Sequence, residues 1–184
     1  MNKVIIPTVV LLVFLLLGGS TANHTFAQKP SWSVIVDRVR VLETTRDELE
    51  SLLGEYEMEE SDSSAADDVE YRLRDATIYA LYSQGFCTPS STHGYNVQQD
   101  TIIEFTVEFR KPRPVSSFRL TSGPFDKREI EDVIGLFHYT NDAVGVRFAG
   151  SSTELTKLTL FPSVDQESLA CSNLKATPKP ESKL

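Results

Sequence analysis

The chain has 184 residues, a formal net charge of −8 and an apolar fraction of 40%. This length and composition suit one ordinary globular domain with a buried core. An acidic chain without a basic stripe is a poor candidate for binding nucleic acid or an anionic membrane surface, because both are recognised mainly through Lys and Arg. We therefore expect no nucleic-acid partner and no membrane partner for the mature chain.

The first 27 residues have the pattern of a secretory signal peptide. Lys3 gives a basic start, an apolar run follows over residues 4–17, and small and polar residues come next. The motifs Ser-Thr-Ala and Thr-Phe-Ala allow cleavage after Ala22 or Ala27. The alternative is an uncleaved anchor, but the apolar run is shorter than the roughly 20 residues that a membrane-spanning helix needs. We expect an extracytoplasmic protein, periplasmic or secreted, in which residues 1–27 are removed.

The mature chain is predicted to open with a strand and a short helix. Residues 33–42 are rich in Val and Ile and predict the strand. The helix follows, because Thr45 and Glu48 can satisfy each other's free backbone amides as a capping box. Apolar residues at spacings of three and four then form one stripe. Gly54 can take the left-handed conformation that closes a helix.

The pattern of the first helix occurs a second time. Residues 126–137 repeat the capping residue, the Glu three positions later, the apolar stripe, the glycine and the final aromatic of residues 45–56. Three strands are predicted after each helix, at residues 69–74, 77–82 and 101–110 and at residues 137–140, 144–148 and 154–161. Coincidence is the alternative, since a capped helix that ends in glycine is common.

We therefore predict an α+β fold, mainly an antiparallel sheet with two short helices. Its organisation is a tandem helix–strand–strand–strand repeat, with half-repeats at about residues 43–110 and 125–162. Both halves belong to a single α+β domain over residues 28–171. Residues 172–184 are a Lys-, Pro- and Ser-rich tail without apolar periodicity, which predicts disorder.

Two further segments have irregular composition. Residues 55–70 are rich in acids and contain no base, which is typical of a mobile solvated loop. Calcium binding there would need alternating oxygen ligands and a turn glycine, and the sequence lacks that glycine and spacing. Residues 85–98 contain aromatic residues, Pro89 and His93, and join two predicted strands.

Two cysteines, Cys87 and Cys171, lie in the expected mature chain. An even pair in an oxidising compartment is usually a disulfide. The alternatives are two free thiols or a catalytic thiol at Cys87, which has His93 six residues later. Neither cysteine has a neighbour at a spacing typical of a zinc site. We predict the disulfide, no metal site and no cofactor.

With the repeat in place, the chain resembles two groups of proteins. A helix end followed by a Tyr-Ser-x-Gly-x-Cys segment is similar to uncharacterised exported bacterial domains, over about residues 34–171. The residues of that likeness are Thr45, Arg46, Asp47, Leu53, Gly54, Tyr82, Ser83, Gly85 and Cys87. The tandem of helix and antiparallel sheet also resembles the β-lactamase-inhibitor-protein fold and the small outer-membrane assembly lipoproteins. This chain has one predicted helix per repeat where those have two, and it lacks their lipid-bearing cysteine.

Catalytic motifs are scarce in this sequence. His93 and His138 remain after signal removal, and His138 lies in a predicted strand between two aromatics, as a structural residue does. The sequence contains no Gly-x-Ser-x-Gly elbow, no glycine-rich phosphate loop and no two-histidine metal motif. Paired carboxylates near the predicted helix starts suit the helix dipole. We therefore expect a protein that is not an enzyme and has no catalytic residue.

Recognition of another protein is the function that remains. Loop aromatics supply contact area at low entropic cost, and strand edges can pair with another chain. The candidate binding residues are Tyr56, Phe86, His93 and Tyr95. We predict an exported, non-catalytic protein-binding module with an unknown protein partner. The alternatives are an inhibitor of a secreted hydrolase and a small hydrolase that uses His93 with a nearby carboxylate.

Overall fold

A computed structural model describes residues 31–54, 56–60, 67–88, 91, 93–118, 120, 123–131 and 133–174. The predicted signal peptide and the tail beyond residue 174 lie outside these ranges. Within them the fold is α+β and mostly antiparallel sheet, as predicted, with helices α1 (Trp32–Arg38), α2 (Arg46–Leu53) and the single turn α3 (Cys171–Leu174). Short 3-10 helices cover Val115–Phe118 and Val164–Leu169.

Eight strands form one antiparallel sheet in the order β1-β2-β3-β4-β8-β7-β6-β5. Strands β1 to β4 follow one another as adjacent hairpins, and so do β5 to β8, so β4 and β8 join the two halves. The strand bounds are β1 (Glu57–Glu60), β2 (Asp67–Arg72), β3 (Ala76–Tyr82), β4 (Ile102–Pro114), β5 (Asp126–Glu129), β6 (Phe137–Asn141), β7 (Val146–Gly150) and β8 (Glu154–Leu160).

One face of the sheet carries the core. A row of buried side chains runs across it in register, comprising Tyr71, Ile78, Val107, Leu158, Phe148 and Tyr139. Ile35 of α1 and Leu49 and Leu53 of α2 pack into the same cluster. The opposite face is polar, with Glu70, Tyr79, Thr106, Thr159, Arg147, Thr140 and Asp126 in one row. One buried and one polar face are typical of antiparallel sheets.

Helix α2 forms where the capping pattern predicts it. The Thr45 amide donates to the Glu48 carboxylate at 2.9 Å, and the Glu48 amide donates to the Thr45 hydroxyl at 3.4 Å. Gly54 follows the helix with φ of 68°. All the partners that specify this helix lie within nine residues of one another, so local chemistry is sufficient to place it.

The predicted leading strand at residues 33–42 is wrong, because α1 occupies Trp32–Arg38. Its Val and Ile residues favour a strand by intrinsic preference. Ile35 and Val39, however, are four positions apart and 1% and 2% exposed. The Trp32 ring lies 4.8 Å from that of Phe109. Burial of one helical stripe against the sheet therefore overrides the β-branched composition.

The predicted second helix is also wrong. Asp126–Glu129 is strand β5, paired with β6, and hydrogen-bonded turns follow it. The Glu129 carboxylate accepts from the Gly135 amide at 3.0 Å instead of completing a capping box. Gly135 does take a positive φ, 79°, as Gly54 does in the first copy, and the next strand starts two residues after Gly135. Residues 126–129 therefore form hydrogen bonds with β6, whereas their local sequence pattern predicts hydrogen bonds within a helix.

The acidic segment over residues 55–70 is not one loop. Strand β1 occupies Glu57–Glu60, and β2 begins at Asp67 and pairs with it. Charged residues are well tolerated on β1, because an edge strand with charges resists unwanted pairing. Residues 61–66 lie outside the described ranges.

The predicted disulfide between Cys87 and Cys171 is confirmed. The two Cα atoms lie 5.4 Å apart, and the bond closes a sequence separation of 84 residues. Backbone contacts reinforce it, since Tyr95 forms a bridge with Ala170 and the Cys171 amide donates to the Gly94 carbonyl at 3.0 Å. Such a bond is typical of proteins in an oxidising environment outside the cytoplasm. Across the described residues, no helix has the length and apolar character to span a membrane.

Candidate functional site

Three of the four predicted binding residues lie in the segment that the disulfide tethers. Phe86 is 68% exposed, and His93 is exposed as well. Tyr95 is half-buried, and burial, followed by the Glu167 and Glu104 carboxylates, raises the pKa of its phenol. Phe86 is therefore the member of this segment that offers the most apolar contact area.

The fourth predicted residue, Tyr56, lies between α2 and β1. It is half-buried, and its ring packs edge-on against that of Tyr71 at 5.1 Å. Burial, followed by a hydrogen bond to Glu50, raises the pKa of its phenol. Tyr56 thus contributes to the packing of α2 on the sheet, which is a structural role.

The most exposed apolar residue in the described part of the chain, Ile134, lies elsewhere, in the loop between β5 and β6. Ile134 is 99% exposed, Val133 is 43% exposed and Leu136 is 38% exposed. We call residues 130, 131 and 133–136, which the structure describes, the apolar loop. Three neighbouring apolar side chains presented to solvent on one loop are typical of an interaction site.

Hydrogen bonds brace the apolar loop. The Ile130 amide donates to the Leu136 carbonyl at 2.9 Å, and the Val133 amide donates to the Ile130 carbonyl at 3.2 Å. The Leu136 amide returns to the Val133 carbonyl at 3.3 Å. Glu129 accepts from the Gly135 amide. These bonds hold the loop in one shape with the Ile134 side chain outward.

Strand β5 is the end of the sheet, and all four of its residues are exposed. The Lys127 ammonium lies 3.9 Å from the centre of the Phe137 ring, a cation–π contact on the core side of the sheet. On the polar side, the Arg128 guanidinium lies 2.6 Å from the Asp126 carboxylate. Among the described residues no strand pairs with the outer side of β5, so this edge combines an open backbone with charges of both signs.

Among the residues that the structure describes, no three His, Cys, Asp or Glu side chains are grouped so as to hold a metal ion. His138 lies in β6, as predicted, and is half-buried. Burial, followed by the Arg147 guanidinium, lowers the pKa of its imidazole. Both effects favour the neutral form of His138, which lies on the polar face of the sheet.

The sequence analysis missed the apolar loop because it assigned Ile130, Val133 and Ile134 to the buried stripe of a helix. Their spacing of three and four is the helical signal, and it is the same whether the residues are buried or exposed. The charged residues of β5 favour a strand no more than a helix. No signal in this sequence separates the two outcomes.

Comparison with protein-family models, with curated proteins and with solved structures finds no match to this chain. The site must therefore be interpreted from its own geometry.

Proposed function

We propose that the protein is an exported, non-catalytic protein-binding module that binds its partner through β5 and the apolar loop. The observation that carries this proposal is the complete exposure of Ile134 at the tip of a loop closed by backbone hydrogen bonds. A protein partner fits this surface because it combines apolar contact with an open strand edge.

Burial of Ile134 supplies binding free energy. Removing an isoleucine side chain from water is worth roughly 1.5–3 kcal/mol. The bonds from Ile130, Val133 and Gly135 already fix the loop, so little conformational entropy is lost when a partner closes over it. A braced loop with an outward isoleucine is thus suited to act as an anchor.

The charges of the site define the chemistry of the partner. Glu129 and Glu131 flank the apolar residues and are exposed. Electrostatic complementarity then favours a partner that places a basic group beside Glu129 and an apolar surface beside the loop. The open backbone of β5 favours an extended partner segment as the carrier of that basic group.

Site-specific photo-crosslinking tests the proposal. The full chain carries a photoreactive amino acid in place of Ile134, is made in its native host and is irradiated there. The matched control carries the same group in place of Val164, which is 52% exposed and lies in a 3-10 helix. We expect a protein adduct at position 134 that is absent at position 164 and that excess unmodified protein competes away. Absence of an adduct, or equal adducts at both positions, contradicts the proposal.

A second variant measures the contribution of the anchor. Ile134→Asn replaces the apolar side chain with a smaller polar one, so it should weaken partner binding by roughly tenfold or more. The same Asn at Val164 should leave binding unchanged. Binding that is equal in both variants contradicts the role of the apolar loop.

Export is part of the proposal, with cleavage after Ala22 or Ala27. The disulfide supports it, since Cys87 and Cys171 need an oxidising compartment to pair. The mass of the protein recovered from the periplasm and from the culture fluid measures the cleavage point and the location together. Recovery of the uncleaved chain in the cytoplasm contradicts export.

Inhibition of a secreted hydrolase is the second candidate function. The braced apolar loop favours it, because a rigid protruding loop can insert into a cleft with little reorganisation. If the adduct at position 134 is a hydrolase, the purified protein should abolish its turnover at one-to-one stoichiometry, and Ile134→Asn should relieve that inhibition. If the bound hydrolase keeps its full turnover, inhibition is contradicted, and the binding module alone remains.

A further inference from the structure

The backbone amides and carbonyls of successive residues in β5 point alternately toward β6 and away from the sheet. The Ile130 amide donates to the Leu136 carbonyl, so this pair is hydrogen-bonded across the hairpin. In an antiparallel ladder every second pair is of this kind, which makes Arg128 with His138 another. The amides and carbonyls of Lys127 and Glu129 must therefore point away from the sheet. They are the groups that an added strand would bind.

These two outward-facing residues carry opposite charges. In an antiparallel pairing of β5 with β5 of a second copy, centred on Arg128, Lys127 lies opposite Glu129 of that copy, and Glu129 lies opposite its Lys127. Both pairs are then hydrogen-bonded pairs, and each places an ammonium beside a carboxylate. Opposite charges directly across a strand pair stabilise it, whereas like charges destabilise it.

The polar side of the sheet tolerates the same register. Arg128 meets Arg128 of the second copy on the two-fold axis, but each guanidinium already lies 2.6 Å from its own Asp126 carboxylate. Asp126 of the second copy is also the diagonal neighbour of Arg128, within reach of a long side chain. The central pair is thus flanked by carboxylates on both sides.

The apolar loop gains a partner surface in this arrangement. Ile130 lies opposite Asp126 of the second copy, so the loop that follows Ile130 runs beside the segment that precedes that Asp126. This segment contains Pro124, which is exposed, and Phe125, which is half-buried. Val133 and Ile134 can bury their side chains against it, twice by symmetry.

We propose that the protein forms a two-fold symmetric homodimer by antiparallel pairing of β5 with β5 of a second copy. The proposal rests on the proposed function in one respect, since it names the partner of the same site. Pairing through β1 is disfavoured, because that edge has the acidic sequence Glu-Met-Glu-Glu and would oppose itself with like charges. The assembly therefore closes at two copies and buries both exposed β5 edges.

Charge reversal tests the register. The mass of the mature, disulfide-bonded protein in solution should be that of two chains. Lys127→Glu and Glu129→Lys should each raise the dissociation constant roughly tenfold or more, because each places like charges opposite one another at two positions. An equimolar mixture of the two variants should restore dimers, since the four charges then match across the edge. The double variant carrying both changes should dimerise by itself.

A cysteine placed on the two-fold axis gives an independent measurement. Residues opposite one another at a pair without hydrogen bonds have Cα atoms roughly 4.5 Å apart, within the range that a disulfide spans. Arg128→Cys should therefore form a covalent dimer on mild oxidation. The matched control is Asp126→Cys, on the same face of the same strand. Position 126 lies opposite Ile130 of the second copy, so this variant should form no covalent dimer on mild oxidation.

The outcomes separate this inference from the proposed function. A wild-type protein that is monomeric, or dimers that are insensitive to both charge variants and give no Arg128→Cys link, overturn the homodimer. In that case an adduct of a different protein at position 134 still supports the binding module. Larger assemblies that grow with concentration also overturn the homodimer, because a closed two-fold contact cannot propagate.

Discussion

The hydroxyl oxygens of Thr106 and Thr159 lie 3.0 Å apart, at the point where the two halves of the sheet meet. Thr106 belongs to β4 and Thr159 to β8, and they are direct cross-strand neighbours. Both are buried, 7% and 9% exposed, although they lie on the polar face. The two halves are therefore joined on this face by a hydrogen bond shielded from water.

Removing one hydroxyl of this pair should cost more than removing both. Thr106→Val leaves the Thr159 hydroxyl buried without its partner, which destabilises the fold by about 1–3 kcal/mol. The double variant Thr106→Val/Thr159→Val replaces both groups with apolar ones of similar shape, so its cost should be smaller than that of either single variant. Urea unfolding measures all three free energies. Thr77→Val, at a half-buried position of β3 on the same face, is the control and should have a small effect.

Loss of the disulfide should lower stability substantially. Cys87→Ser/Cys171→Ser removes the constraint on a long loop of the unfolded chain, and the expected cost is about 2–5 kcal/mol. The midpoint of guanidinium unfolding should fall, and reduction of the wild-type protein should lower it by a similar amount. An unchanged midpoint would show that the backbone contacts at Tyr95 and Ala170 suffice to hold this region.

Stability should fall at alkaline pH because of two buried tyrosines. The Tyr71 and Tyr82 hydroxyls lie 2.8 Å apart. Burial raises the pKa of Tyr82 to about 12, although the Tyr71 hydrogen bond and the Arg46 guanidinium act in the opposite direction. Burial, followed by the hydrogen bond to Tyr82, also raises the pKa of Tyr71.

The sign follows from linkage. A tyrosine whose pKa is higher in the folded state stabilises the fold fully below its unfolded pKa of about 10, and this contribution is lost as the pH rises through the folded value. The free energy of unfolding should therefore decline from about pH 10 to about pH 12 and beyond. In Tyr82→Phe the decline should be shallower, and a profile identical to that of the wild type would contradict the assignment.

Two glycines with the same backbone angle should respond differently to alanine. Gly54 has φ of 68° and open space around its Cα, whereas Gly145 has φ of 65° and lies against the Phe161 carbonyl oxygen. Gly54→Ala should cost about 1–2 kcal/mol from the backbone conformation alone, because L residues rarely adopt φ of 68° with ψ of −123°. Gly145→Ala adds a collision with backbone, for which we expect about 2–4 kcal/mol. Thermal unfolding of the two variants measures the difference, and equal costs would exclude the steric contribution.

The features that the sequence predicts well are those with local partners or few alternatives. Helix α2 follows from Thr45, Glu48 and Gly54, which specify it without help from the rest of the fold. The disulfide follows from the presence of two cysteines in a chain with an export pattern. Most strands follow from alternation of apolar and polar residues, because the sheet has one buried face.

The features that the sequence predicts badly depend on distant partners. Residues 126–129 have the composition of a helix start, but pairing with β6 makes them a strand. Ile35 and Val39 have the composition of a strand, but their burial together in the core cluster favours a helix. Because residues 126–129 form a strand, Ile134 lies in an exposed loop and not on a helix, so the sequence does not reveal the candidate site. The exposure of Phe86, by contrast, agrees with its predicted position in a loop.

The arrangement of the eight strands also determines the order in which the protein can assemble. Within each half, neighbouring strands are consecutive in the chain, so most of their contacts close short loops and can form quickly, the exception being β3 and β4, which are separated by the 19 residues 83–101. The pairing of β4 with β8 and the bond from Cys87 to Cys171 instead connect residues that are far apart in sequence. We therefore expect the two halves of the sheet to form first and to dock on each other late in folding. Substitutions within β2 and β3 should then slow refolding, whereas Thr106→Val and Thr159→Val should mainly accelerate unfolding.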